Sequence, residues 1–207
     1  MGLFTKNYPP EIAVRIPPGQ RLVKSWPVLQ YGPVPKFDGK EWDLEVSGLV
    51  AHPFTLSYQE LRALPNVTVD ADMHCVTGWS TLDNAWEGVS FRTLVEMAGP
   101  QPEAKWVIAH CSHGYTSNLS MQAMQEDDVL VAWRNFGEDL TPEHGWPLRL
   151  VVPKRYAWKS AKWLTGLEFT DKNTRGFWEV RGYHIHGEPF AEERYSRQEG
   201  RRAEMEP

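Results

Sequence analysis

Cys75 stands in the run Asp72-Met73-His74-Cys75-Val76-Thr77-Gly78-Trp79-Ser80, after an alternating stretch and before a polar turn that contains glycine. A thiol in that place can face a pocket, and a thiolate is a strong, soft metal ligand. The competing reading is core filler, since unpaired cysteine is among the most buried residue types. Cys111 lies inside the apolar run 106–112 and reads as core. The two cysteines allow one disulfide at most; in a reducing compartment each is core filler, a metal ligand or a reactive thiol.

A second group lies in GWPLRLVVPKRYAWKSAKWLTGL, residues 145–167. It holds Arg149, Lys154, Arg155, Lys159 and Lys162 and no acid, in a chain of net charge −5. Trp146, Trp158 and Trp163 share the stretch with aliphatics, so these cations cannot all lie on a solvated face. Concentrated positive charge between aromatic walls suits an anionic, partly planar ligand such as a phosphorylated cofactor. The alternative is a basic strand edge that discourages aggregation. A third group is histidine-rich: His110, His113, and the pair His184 and His186. On a strand that pair would share a face and could hold zinc or iron. Carboxylate or cysteine partners are not obvious nearby, and ordinary hydrogen-bonded histidines are the simpler reading.

These residues need a scaffold. The chain has 207 residues, 41% hydrophobic and 24% charged, which fits a folded chain and excludes a disordered or fibrous one. Mild acidity argues against a general nucleic-acid binder, because phosphate attraction needs clustered cations. Ten Trp suit deep pockets or interfaces. No apolar run is long enough to span a bilayer. The first 21 residues carry neither an apolar signal core nor a twin-Arg pair, so a cytoplasmic enzyme is expected. GxGxxG, P-loop, HExxH, CxxC and GxSxG motifs are missing, which disfavours nucleotide enzymes, zincins and α/β-hydrolases.

Alternation and apolar runs predict strands at 42–48, 67–75, 106–112, 129–133, 148–153 and 164–170. Ser57 and Glu60 form a capping box that opens a short helix stopped by Pro65. A second helix runs from Ser90 to Ala98, closed by Gly99-Pro100. Strands and helices do not alternate regularly, so the fold class is α+β. Residues 1–26 read as an extended Pro-rich arm laid over something else, 27–195 as the working domain, and 196–207 as a charged tail that frays.

Three stretches together resemble the molybdenum-pterin domain of the sulfite oxidase family: HCVTGWS around Cys75, GWPLRLVVPKRYAWKSAKWL, and GFWEVRGYHIHGEPFAEERY. Pro33-Val34-Pro35 resembles the motif after that family's cofactor-binding arm, and the likeness runs from Pro27 to Tyr195. The resemblance implies a sulfite oxidase-like molybdopterin-binding fold of several small mixed sheets with short helices. It implies a molybdenum-molybdopterin cofactor, with Cys75 as thiolate ligand to the metal. His144 and Arg149 match the family's cofactor-contacting pair, where some relatives have Asn in place of His144. Ser160, Ala161 and Lys162 match a turn that holds the cofactor, and Gln30 and Tyr31 stand where sulfite oxidases carry Asn and His. Sulfite oxidases also place an Arg at the positions of Leu29 and Ser80. Without those cations sulfite is a poor fit, and the HCVTGWS version is more similar to the bacterial branch that reduces sulfoxides. The expectation is a metal-binding oxidoreductase transferring an oxygen atom to or from a neutral S-oxide or N-oxide, with electrons from an external carrier. The alternatives are a sulfite-oxidising enzyme of the same family and a non-catalytic molybdopterin carrier.

Overall fold

The computed structural model of the chain describes residues 8–38 and 40–200. Its strands are β1 (Arg21–Leu22), β2 (Asp43–Gly48), β3 (Phe54–Ser57), β4 (Val67–Cys75), β5 (Trp79–Ser90) and β6 (Trp106–Cys111). They continue with β7 (Thr116–Ser120), β8 (Leu130–Asn135), β9 (Glu138–Asp139), β10 (Arg149–Val151) and β11 (Leu164–Thr170). Among the described residues a short helix precedes them, α1 (Pro10–Ala13), and three lie between them: α2 (Tyr58–Ala63), α3 (Phe91–Ala98) and α4 (Met121–Met124).

One sheet runs β3-β2-β11-β6-β7. In it β11 lies parallel to β2 and antiparallel to β6, so the sheet is mixed. The other is built on β5, which pairs with β4 and β8 antiparallel and with β1 parallel; β8 carries β9 and β10. The expected α+β architecture of small mixed sheets with short helices follows, as two sheets.

Period-two burial drives the assembly. Leu44 and Val46 of β2 are fully buried while their neighbours face out. In β8, Val131 and Trp133 join the core between the sheets, with Val107, Ala109, Leu167 and Phe169. Leu130 and Ala132 point to the other face and pack with Met73, Cys75, Trp79 and Trp86. Each fully buried aliphatic side chain contributes roughly 1.5–3 kcal/mol. That second cluster puts Cys75 on the outer face of the β5 sheet.

Both predicted helices form as their caps dictate. The Ser57 hydroxyl accepts from the Glu60 N–H, and the Glu60 carboxylate accepts from the Ser57 N–H. Leu64 before Pro65 is already extended. α3 buries Phe91, Leu94 and Ala98 and ends on Gly99 at φ +59°, a left-handed cap.

The arm is not wholly extended. One turn of helix and the two-residue β1 lie in it, and β1 docks on β5 at Arg21↔Trp79. The charged tail is held further than expected. Glu199 pairs with Arg175 and accepts the Ile185 N–H, and residues 196–198 form a 3-10 turn. Residues 1–7 of the arm and 201–207 of the tail lie outside the described residues. No helix among the described residues is long and apolar enough to cross a membrane.

Candidate functional site

The β4–β5 connection is a tight hairpin. Cys75 pairs with Trp79, Gly78 takes φ +93°, and the Gly78 N–H donates to the Cys75 carbonyl at 2.9 Å. A three-residue loop ending in a left-handed glycine is a favoured way to close such a pair. It sets the Cys75 sulfur, 8% exposed as a residue, on the wall of a cavity of about 340 Å³. Burial pushes the thiol up, opposed by hydrogen bonds from Thr77 and by the Arg194 charge. The Thr77 hydroxyl donates to Cys75 Sγ at 3.2 Å.

The cavity gathers every residue singled out for cofactor contact: Gln30, Tyr31, His144, Arg149, Ser160, Ala161 and Lys162. Arg149 is buried on β10. Its guanidinium donates to the carbonyls of His144 and Ser160 at 3.0 and 2.8 Å and lies over the rings of Trp26 and Trp86. Its Nε has no hydrogen-bond partner among the described residues. Lys162 Nζ donates to the Glu143 carbonyl at 2.7 Å and to Gln30 Oε1 at 3.4 Å. The Ser160 hydroxyl accepts from the Val152 N–H, so Ser160 is committed to holding the turn. Desolvation pushes Arg149 down to about 9 and, together with the Arg149 charge, Lys162 down to about 8. Both remain cationic at neutral pH.

His144 stacks on Trp26, with ring centroids 4.4 Å apart and planes at 25°. Burial and the charges of Arg149 and Lys162 hold its pKa below the usual range, so the ring is neutral at pH 7. Among the described residues its Nε2 is buried without a hydrogen-bond partner, as is the Trp79 Nε1.

The basic stretch does not act as one patch, which corrects the expectation of a single concentrated site. Only Arg149 and Lys162 of its five cations line the cavity. Lys159 turns away and pairs with Glu179 at 2.6 Å, both side chains buried. Lys154 pairs with Glu126 at the surface, and Arg155 donates to the Lys154 carbonyl. A cation is buried only where acceptors meet it, and Lys159 finds them in Glu179, Asn118 and the Ile185 carbonyl.

The histidine pair takes the simpler reading, as ordinary hydrogen-bonded side chains, though not on a strand. His184 and His186 lie on no strand, and His184 Nδ1 accepts the N–H groups of His186 and Gly187. Among the described residues no group of three or more His, Cys, Asp or Glu is placed to hold a metal ion. His110 pairs with Glu168 instead. Cys111 is core, as expected from its run: 7% exposed, with its thiol raised by burial. Leu29 lines the cavity, whereas Ser80 does not; it is fully buried on the other face of β5 beside His74 Nδ1 at 2.8 Å.

The residue-by-residue reading missed much of the wall. Trp26, Trp79, Trp158, Trp178, Tyr183 and His113 all face the cavity. The available signal was the abundance of Trp, which named no positions. His113 stands at φ +60° in the β6–β7 turn, a conformation that non-glycine residues rarely take.

A phosphorylated pterin with a soft metal fits this site. Arg149 and Lys162 face the cavity with no carboxylate in ion-pair distance among the described residues, and Arg149 Nε awaits an acceptor. A phosphate would satisfy both cations with charge-assisted bonds. Aromatic walls suit a flat ring, and Cys75 offers the soft donor that molybdenum favours.

Comparison with known proteins agrees. The model of the oxidoreductase molybdopterin-binding domain matches residues 31–178. The oxidoreductase YuiH of Bacillus subtilis is 46% identical over 93% of this chain and 98% of its own length. The catalytic subunit MsrP of the protein-methionine-sulfoxide reductase of Campylobacter jejuni is 30% identical over 69% of this chain, which spans 54% of MsrP. Among solved structures, the sulfane dehydrogenase SoxCD of Paracoccus pantotrophus shares the fold, with a TM-score of 0.61, 22% identity, and coverage of 81% of this chain and 54% of that one. The chain therefore belongs to the oxidoreductase molybdopterin-binding domain family and is an enzyme that works with the molybdenum cofactor.

Proposed function

We propose that the enzyme transfers an oxygen atom to or from a neutral S-oxide or N-oxide, in the cytoplasm, with electrons from an external carrier. The observation that carries this reading is the charge of the cavity. Its fixed cations are Arg149 and Lys162, grouped with His144 and Gln30, while the wall by Cys75 is built of Met73, Trp79 and Ala157. Such a wall accepts a neutral substrate and offers an anion no cationic side chain on the wall itself; Arg194, whose charge reaches the Cys75 sulfur, lies behind the loop and not on the lining.

The bound cofactor supplies two-electron chemistry at which an oxygen atom is exchanged. Cys75 gives the protein's sulfur ligand. Arg149 and Lys162 neutralise the pterin phosphate, and the neutral His144 offers Nε2 for a hydrogen bond. Gln30, Tyr31, Ser160 and Ala161 shape the seat, with the Ser160 carbonyl fixing the Arg149 fork. Deoxygenating an S-oxide consumes two electrons and two protons and releases water. The resemblance of MsrP, named for a sulfoxide of methionine, supports this substrate class. Both cysteines are unpaired, in keeping with a reducing compartment.

Cys75→Ser tests the ligand assignment. The variant keeps the fold, because serine is close to cysteine in size and Cys75 is the last residue of β4, but loses turnover and changes the metal's spectrum. Full turnover with an unaltered spectrum would refute Cys75 as the ligand.

A further inference from the structure

We infer that Thr77 is a tuning residue, whose hydroxyl shares the Cys75 sulfur with the cofactor's metal and so sets how strongly that sulfur donates. This rests on the proposed reading that Cys75 is the metal ligand.

The geometry is local but anchored from afar. Thr77 Oγ1 donates to Cys75 Sγ at 3.2 Å, and the Thr77 N–H is directed at the same sulfur. Among the described residues this hydroxyl has no second hydrogen-bond partner, and Thr77 is exposed on the cavity wall, so packing does not explain the contact. An exposed hydroxyl in a loose loop would trade such a bond for water. This loop is not loose. Gln20 Nε2 donates to the Cys75 carbonyl at 3.0 Å, and the Arg21 N–H donates to the Gly78 carbonyl at 3.1 Å. From the other end of the chain, Arg194 donates to the Val76 carbonyl at 2.7 Å and to the Pro18 carbonyl at 3.0 Å. Two distant segments, residues 18–21 and Arg194, thus hold the backbone of residues 75–78, and on that fixed backbone the Thr77 hydroxyl lies 3.2 Å from the sulfur.

Hydrogen bonds to a ligand sulfur withdraw charge from it, and outer contacts of this kind tune metal sites. A sulfur that donates less stabilises the higher oxidation state less. The Thr77 bond therefore raises the midpoint potential of the bound metal and eases its reduction. Thr77→Val replaces the hydroxyl by a methyl of the same shape and leaves the backbone N–H in place; Thr77→Ser restores the hydroxyl.

The test uses the cofactor-loaded full chain and compares wild type, Thr77→Val, Thr77→Ser and Cys75→Ala. Molybdenum and pterin contents, the midpoint potential and the Mo(V) paramagnetic spectrum are measured, independently of turnover. Thr77→Val should load fully, with a lower midpoint potential and a shifted spectrum, and Thr77→Ser should return both toward wild type. An unchanged potential and spectrum in Thr77→Val, while Cys75→Ala alters them, overturns the role of Thr77 and leaves the ligand reading standing. An unchanged spectrum in Cys75→Ala overturns the ligand reading and the inference with it. If Thr77→Val loads poorly, Thr77→Ala is the second probe. Poor loading in both, with normal loading of Thr77→Ser, makes the hydroxyl a binding group and overturns tuning. Normal loading of Thr77→Ala with a lowered potential upholds it, and with an unchanged potential overturns it.

Discussion

Lys159 Nζ lies 2.6 Å from Glu179 Oε1 with both side chains shut off from solvent. The ammonium also donates to Asn118 Oδ1 and to the carbonyls of Asn118 and Ile185. The Trp158 indole donates to the same carboxylate at 2.8 Å, and Trp158 is part of the cavity wall. The pair thus ties the segment around Glu179 to the wall.

Removing one charge of a buried pair strands the other. Glu179→Gln should destabilise the protein by about 3–5 kcal/mol, seen as a lower urea midpoint. Lys159→Met combined with Glu179→Gln should recover part of that loss, since no charge is left alone. A double variant as unstable as the sum of the two singles would show that the charges do not interact.

Lys162 makes an opposite bargain between stability and binding. Its pKa is pushed down to about 8 by burial, against an ordinary value of 10.5. The folded chain therefore binds fewer protons than the unfolded chain between pH 8 and 10.5. This group makes the cofactor-free protein more stable as pH rises through that window, and its cost is complete below it. Lys162→Gln should stabilise the cofactor-free protein at pH 7 by roughly 1–2 kcal/mol, after solvent screening is allowed for. The same change should lower cofactor retention by about tenfold or more, from the loss of a charge-assisted bond. Thermal melts of cofactor-free protein at pH 7 and 10, with pterin analysis of loaded protein, measure both; equal retention would return Lys162 to a structural role.

The parts legible in sequence are those with local signals. The capping box at Ser57 and Glu60 and the Gly99 stop fixed α2 and α3, and alternation located β2 and β4. β5 was not legible, because Asp83, Asn84 and Gly88 are poor strand formers. It persists because β1, β4 and β8 all pair with it. Asp83 adopts φ +57°, and a Cβ at Gly88 would fall 1.9 Å from the Val131 carbonyl oxygen, so these residues shape the bends that bring partners together. The site divides in the same way. Cys75, Arg149 and Lys162 stand in compact motifs, whereas Trp26, Trp178 and Tyr183 reach the cavity from distant segments that no spacing relates. Lys159 and Lys162 are three residues apart yet meet different partners, because Glu179 and Asn118 are supplied by tertiary structure.

Substrate charge gives the last prediction. Leu29 lines the cavity and carries no charge; Ser80 is turned to His74 on the far face of its strand. Arg134, Arg155 and Arg181 do not line the cavity either. Arg134 pairs with Glu87 and Asp139, and Arg181 covers the Phe177 ring. The cations that line the cavity, Arg149 and Lys162, are committed to the cofactor in the proposed reading, and Arg194, outside the lining, is tied to the Val76 and Pro18 carbonyls. Burying a sulfite dianion without paired charge costs several kcal/mol. A cost of about 3 kcal/mol is about a hundredfold in kcat/KM, so a neutral sulfoxide should surpass sulfite by at least that, each assayed with an artificial electron carrier. Leu29→Arg should raise kcat/KM for sulfite by about tenfold, the effect of one added charge-assisted contact, and make it fall with ionic strength. Efficient sulfite oxidation by the wild type, steeply inhibited by sulfate, would mean that an anion pocket exists beside Cys75 despite the neutral wall there.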